Sequence, residues 1–138
     1  MIGSARRLGN RLLLAAGALA LAGCADAFFA TVDRLEYTRN VVERDRIVFD
    51  AGHDLALDAY TPAGASGDPV VVFFYGGSWS EGKRHWYRYV GDALAGNGVV
   101  VLIPDYRKYP DVRFPAFMHD AAHAVAWARE HAAEFGGD

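Results

Sequence analysis

The stretch "YGGS", Tyr75–Ser78, ends an apolar run from Val70 to Phe74 and is the first place in the chain where residue type and spacing suggest chemistry. Glycine exposes its N–H group without side-chain bulk and reaches positive φ at little steric cost. Gly76, Gly77 and the amide of Ser78, delivered by the end of a buried strand, could therefore hydrogen-bond an oxyanion as it develops in acyl transfer. Glycine pairs at strand ends also serve as plain turns. The stretch alone leaves both readings open.

A nucleophile to match does not follow. A serine on a strained strand-to-helix turn needs glycine on both sides, as G-x-S-x-G. Ser78 is followed by Trp79 and Ser80, Ser80 has Ser78 where the first glycine is required, and the pattern around Ser66 breaks just after it. No catalytic nucleophile is expected within these residues. A second constellation, "HDAAH" from His119 to His123, places two imidazoles at i, i+4 on one helical face and resembles the zinc motif H-E-x-x-H. Asp120 replaces the glutamate there and no third ligand follows, while the polar outer side of a helix accounts for the same residues. Zinc at His119/His123 is the lesser reading, and neither a metal nor an organic cofactor is expected. His53, His85 and His131 read as surface or loop residues.

Positioning the glycines requires a sheet. Ile47/Phe49 and Leu55/Leu57/Ala59 alternate around the turn-rich "DAGHD" and predict a β-hairpin closed at Thr61-Pro62. Val70–Phe74 and Val99–Pro104 are apolar without alternation, as strands covered on both faces are. Between them Tyr89, Val90, Ala93 and Leu94 recur at helical spacing, and Gly96-Asn97-Gly98 ends the helix. Pro115 sits where a first helical turn tolerates proline. Phe117, Ala121, Ala124, Val125, Ala128 and Phe135 then share a face, and Gly136-Gly137 stops the helix. The fold class expected is α/β: an antiparallel hairpin followed by parallel strands with crossover helices.

Composition agrees with one compact domain at most. Of 138 residues, 52% are hydrophobic and 22% charged, too apolar for a disordered chain. The 17 acidic and 14 basic residues give a net charge of −3, with no basic block to hold nucleic acid.

The N-terminus is read as a separate object. Arg6, Arg7 and Arg11 precede an apolar stretch from Leu12 to Ala22, the order of a secretion signal and too short to span a bilayer comfortably. "LAGC", Leu21 to Cys24, resembles the lipobox of bacterial lipoproteins. That resemblance implies loss of residues 1–23 and acylation of Cys24, with several chains holding the protein on a membrane. Ala25 after the cysteine implies the outer membrane, facing the periplasm. The plain alternative is a secreted protein with Cys24 unmodified. Cys24 is the single cysteine, so an internal disulfide is excluded. Residues 24–43 are expected to be an anchor-proximal segment and residues 44–138 the domain.

"YGGSW" after a buried strand, then a helix, then "VLIPDYRKYPDVRFPAFMHDAAHAVAWA" resembles the α/β-hydrolase carboxylesterases with an H-G-G-G-type oxyanion loop, more narrowly the feruloyl-esterase-like and hormone-sensitive-lipase-like esterases. The resemblance covers roughly residues 44–138. It implies that Gly76 and Gly77 match the first two glycines and that Ser78 replaces the third, so the oxyanion donors are the amides of Gly77 and Ser78. Tyr75 replaces the usual histidine, which orients the loop. Trp79 lines the acyl pocket or braces the loop, and Asp105, Tyr106 and Arg107 buttress it; for Asp105 an ordinary loop carboxylate remains the alternative. In that family the elbow follows the helix ending here at Phe135, with the triad acid and histidine later still. The chain is thus expected to be the front portion of a domain cut before its nucleophile, inactive alone, with Val70–Phe74 exposed where the elbow strand would pair. A small carboxylic ester is the implied substrate. A non-catalytic envelope lipoprotein or decayed-gene product acting as a binding module is the alternative.

Overall fold

A computed structural model describes residues 26–32 and 40–138. The signal-like arginines and the Leu21–Cys24 stretch lie outside these residues. The chain divides into two units, Met1–Leu35 and Glu36–Asp138. In the first, residues 26–32 form a short helix, α1, on which Phe28 and Phe29 meet edge to face at 5.4 Å and Thr31 Oγ1 donates to the Ala27 carbonyl. Among the described residues no helix is long and apolar enough to cross a membrane.

The second unit is a four-stranded mixed sheet in the order β1-β2-β4-β3. Strand β1 (Val41–Asp50) and β2 (Leu55–Pro62) form the expected hairpin, with Ile47 opposite Leu57 and Asp50 opposite Leu55. The register of β1 shifts between Arg44 and Ile47, where Arg46 takes a φ of 51°. Such a bulge re-aims the strand, and here the Arg46 amide donates to Asp58 Oδ1 at 2.9 Å. Strand β2 also pairs antiparallel with β4 (Val100–Pro104), Ala59 opposite Leu102. Strand β3 (Val70–Val72) runs parallel to β4, Val71 opposite Val101. The Phe73 amide adds one more bond to the Leu102 carbonyl before the chain leaves the sheet.

Helices cover both faces, which explains the unbroken apolar runs. Val100 and Leu102 of β4 join Leu55, Leu57 and Ala59 of β2 in a core closed by Ala124 and Ala128 of α3 (Ala116–His131) and by Phe135. The alternate residues Val101 and Ile103 join Tyr60, Tyr75, Tyr106 and Ala95 of α2 (Arg88–Ala95) on the other face. The period-2 alternation of a strand thus feeds two cores rather than one core and solvent. Strand β2, whose alternation suggested one wet face, is buried almost throughout. It lies between β1 and β4, and its polar-facing positions are taken by Asp58 and Tyr60 under cover.

Helix α2 meets the sheet with a face other than the one the apolar spacing suggested, whereas α3 buries Ala124 and Ala128 of the expected stripe. In α2 the buried residues are Gly91, Asp92 and Ala95, while Tyr89, Val90, Ala93 and Leu94 are half-buried. Gly91 sets that contact, since a Cβ there would stand 2.3 Å from the Tyr60 ring. In α3 the buried line is Asp120, Ala124 and Ala128, with Val125 left 42% exposed. Small residues let the helix approach the sheet, and a carboxylate occupies the same line because it has a cationic partner there. The stops fall where glycine predicts: Gly96 caps α2, and Gly136, at φ 73°, caps the short 3-10 turn Ala132–Phe135 after α3.

Strand β3 is the edge of the sheet among the described residues, and Val71 is 37% exposed. Beside it a groove of about 420 Å³ is lined by Val70, Val72, Val125, Ala128 and Ala132, with Arg129 and Asp138 also on its walls.

Candidate active site

The chain leaves β3 through Phe73 and Phe74 and turns sharply at Gly77, Ser78 and Trp79, whose φ values are 138°, 54° and 61°. Only glycine fits the first of these positions, because a Cβ on Gly77 would lie 2.3 Å from the Glu81 carbonyl oxygen. Positive φ at Ser78 and Trp79 costs of order 1–3 kcal/mol each, and such strain clusters at sites where backbone direction matters. The turn closes on itself: the Gly77 carbonyl accepts from the amides of Ser80 at 3.0 Å and Glu81 at 2.9 Å, and from Ser80 Oγ at 3.2 Å.

That closure aims the neighbouring amide. The Gly77 carbonyl and the Ser78 N–H belong to one trans peptide and point in opposite directions. With the carbonyl turned into the 77–81 turn, the Ser78 N–H faces away from it. Among the described residues, none of the amides of Gly76, Gly77, Ser78 and Trp79 donates to another protein group. The same residues, with Phe74, Tyr75 and Tyr106, line a cleft of about 390 Å³. Unpaired backbone donors beside an open cavity are what oxyanion binding requires.

Tyr75 is gripped from several sides. Its phenol donates to Asp105 Oδ1 at 2.9 Å, and its carbonyl accepts from Tyr106 Oη at 2.8 Å. Its ring stacks between Tyr106 at 4.9 Å and Tyr87 at 5.8 Å, and the Lys108 ammonium lies 5.1 Å from its centre. Burial first, and then the nearby Asp105 carboxylate, push the Tyr75 phenol well above its ordinary pKa, so it stays a hydrogen-bond donor. Burial also holds the Lys108 ammonium below its usual range. Asp105 is in turn held by Arg84 Nη1, while Arg84 Nε donates to the buried Asp58 at 2.7 Å. Burial works against the charge on Arg84, but Asp58 and Asp105 outweigh it and raise its pKa.

Trp79 both lines the cleft and braces the loop. It stacks on Phe117 of α3 at 4.6 Å and meets Tyr106 edge-on at 5.3 Å, and its carbonyl accepts from the Tyr109 amide at 2.8 Å.

Arg107 has a different place from the one the resemblance implied. It turns from the glycine loop to α3, where Nε and Nη2 grip both oxygens of Asp120 at 2.9 and 2.6 Å and its amide adds a third bond at 3.0 Å. Asp120 is buried, which alone would raise its pKa, yet the arginine's bonds and charge hold it below the usual range. Asp120 therefore serves Arg107, and the H-E-x-x-H comparison loses its general base. His119 and His123 are exposed on α3, with His123 Nδ1 3.4 Å from Asp50 Oδ2. His53 Nδ1 shares that oxygen at 2.8 Å. Among the described residues no group of three or more metal-ligating side chains is assembled.

Sequence reasoning missed Arg84 and Asp58. The signal was a lone aspartate within "LALDAY", a strand otherwise free of charge, since a buried carboxylate calls for a cation or several donors.

A strand ending in a glycine turn, beside a parallel neighbour ending in Asp105-Tyr106-Arg107, with helices on both faces, defines the α/β-hydrolase class. Solved structures agree. Esterase B from Lactobacillus rhamnosis superposes with a TM-score of 0.69 at 24% identity, over 87% of this chain and 42% of that one. Thermogutta terrifontis esterase 2 is 35% identical with a TM-score of 0.62, over 68% of this chain and 37% of that one. Residues 57–138 match the BD-FAE family, and the chain belongs to it. A probable isoprenylcysteine alpha-carbonyl methylesterase of Arabidopsis thaliana is 35% identical over 83 residues, 59% of this chain and 17% of that protein. Carboxylesterase NlhH of Mycobacterium tuberculosis is 35% identical over 99 residues, 70% of this chain and 31% of that protein. The chain thus spans less than a third of the length of these two relatives.

Proposed function

We propose that these residues form the oxyanion-binding portion of a serine hydrolase acting on carboxylic esters. One observation carries the reading: the amides of Gly77 and Ser78 have no acceptor among the described residues, the turn is locked by the Gly77 carbonyl, and both residues line a cleft. The esterase relatives and structural neighbours point the same way.

In the mechanism, a serine hydroxyl gives its proton to the triad histidine as its oxygen attacks the ester carbonyl carbon, and the carbonyl π electrons move onto oxygen. Two aligned N–H donors stabilise that charge without reorganising, the term worth most in acyl transfer. Collapse of the tetrahedral intermediate returns the electrons and expels the alcohol, whose oxygen takes that proton from the histidine. A water deprotonated by the same histidine then attacks the acyl-enzyme, and collapse of the second intermediate releases the acid and returns the proton to serine. These 138 residues hold no G-x-S-x-G turn, so serine, acid and histidine are assigned to sequence outside them, and hydrolysis is assigned to a protein that includes both. Gly76, Trp79 and Tyr106 form part of the cleft wall.

Attachment to an envelope membrane through acylated Cys24 is part of the proposal and is supported by the basic-then-apolar order before Leu21–Cys24. The test is to give the full-length gene product a short-chain p-nitrophenyl ester. Turnover that a serine-directed phosphonate abolishes is the expected result, and absence of hydrolysis would overturn it. Incorporation of radiolabelled fatty acid, lost in Cys24→Ser, tests the anchor separately.

A further inference from the structure

We propose that Arg84 is the positioning residue of the oxyanion loop, acting through Asp105 and Tyr75; this rests on the ester-hydrolase reading above. Arg84 begins the 3-10 turn Arg84–Tyr87, directly after the loop has closed through Gly82. Its guanidinium fork spans two carboxylates on different strands, Nε to Asp58 of β2 and Nη1 to Asp105 after β4. Asp105 uses its other oxygen to accept the Tyr75 phenol at 2.9 Å. Tyr75 immediately precedes Gly76, so where its peptide sits fixes where the turn of Gly77 and Ser78 begins.

The chain of contacts runs from the sheet's buried centre to the loop without a gap. Asp58 has a side-chain exposure of 6% and is held again by the Arg46 amide, so it is a fixed post. The Arg84 side chain is 18% exposed and Asp105 24%, dry enough for charged hydrogen bonds to hold a geometry. A phenol at position 75 has one proton to give and its acceptor must be oriented for it; Arg84 orients it. Lysine cannot replace the fork, because one ammonium on a flexible stem does not present two fixed, planar donors. Arg84 lines no part of the cleft, so it acts on geometry alone.

The experiment compares wild type, Arg84→Gln and Arg84→Lys in the full-length gene product. It follows kcat and KM on a short-chain p-nitrophenyl ester, the amide resonances of Gly77 and Ser78 by NMR, and the melting temperature. A loop misplaced by about 1 Å loses about a hundredfold in rate. The expected result is a fall of that order in kcat for both variants with KM within about twofold, together with displaced Gly77 and Ser78 resonances. Full kcat in Arg84→Gln, or full rescue by lysine, overturns the proposal. Should Arg84→Gln fail to fold, Tyr75→Phe removes the last link while leaving the ion pairs in place and should displace the same two amides; unmoved amides overturn the proposal. A wild type without esterase activity sinks the ester reading instead, and the two amide resonances still decide the role of Arg84.

Discussion

The carbonyl oxygen of Glu81 stands 2.3 Å from the point a Cβ on Gly77 would occupy, so the turn admits no side chain there. Gly77 also has a φ of 138°, which an L-residue adopts only under strain. Gly77→Ala therefore has to open the 77–81 turn and swing the Ser78 amide. Loss of one oxyanion donor costs about 10²–10³ in kcat. The expected outcome is a loss in that range on a short acyl ester in the full-length protein, with the far-ultraviolet spectrum unchanged.

Gly91 is as constrained, but by a side chain. A Cβ on Gly91 would meet the Tyr60 ring at 2.3 Å, and Tyr60 is fully buried. Gly91→Ala gains helix propensity and loses far more to overpacking, about 1–3 kcal/mol. A lower urea midpoint at unchanged m-value checks it. Gly91→Ala combined with Tyr60→Leu should recover part of the loss.

The unalternating runs Val70–Phe74 and Val99–Pro104 announced a sheet packed on both faces, which holds at β4 and not at the edge residue Val71, and the glycine punctuation placed the helix ends. The glycine turn was legible at Gly77, but not the positive φ of Ser78 and Trp79, which their residue types disfavour. The buried face of α3 was legible in part, since Ala124 and Ala128 lie on the expected stripe, but that of α2 was not. Periodicity ranks residues by hydrophobicity, whereas α2 approaches the sheet through Gly91, where small size decides. Long-range ion pairs were hidden for a related reason. Arg84 finds Asp58 and Asp105, and Arg107 finds Asp120, only once strand order has brought separate segments together.

The Arg107–Asp120 pair makes its own prediction. Asp120 is buried with a side-chain exposure of 3%, and three groups of Arg107 bind it. Asp120→Ala leaves the guanidinium facing an apolar helix surface, but Arg107 keeps a side-chain exposure of 28% and water reaches it. The cost should therefore fall below the 3–5 kcal/mol of a fully buried broken pair, at about 2 kcal/mol. Denaturant titration measures it. Zinc affinity should be equally absent in wild type and variant.

Glu43 makes stability depend on pH near neutrality. Burial, and then a hydrogen bond shared with Asp45, raise its pKa from 4.5 to about 7, against the pull of Arg88. The folded protein thus holds a proton that the unfolded chain releases between those values. Stability from this group is complete below about pH 4.5 and is lost as pH rises through about 7. In Glu43→Gln that decline should flatten, seen as urea midpoints that change less than wild type across the window. An unchanged slope would assign the proton elsewhere.

The open edge of β3 bears on how these residues behave by themselves. Val71 faces solvent there, and Val70, Val72, Val125 and Ala128 line the groove beside it, with Arg129 and Asp138 also on its walls. A strand with unpaired backbone groups beside apolar side chains templates pairing with another chain. A polypeptide of residues 40–138 is therefore expected to self-associate as its concentration rises, by light scattering or sedimentation. Val71→Lys places a charge on the exposed face of β3 without touching either core, and Val125→Glu does the same across the groove. Each should shift the polypeptide toward monomer, and the pair together more than either alone. Wild-type material that stays monomeric with a sharp cooperative melt would show that β3 holds its edge without a partner.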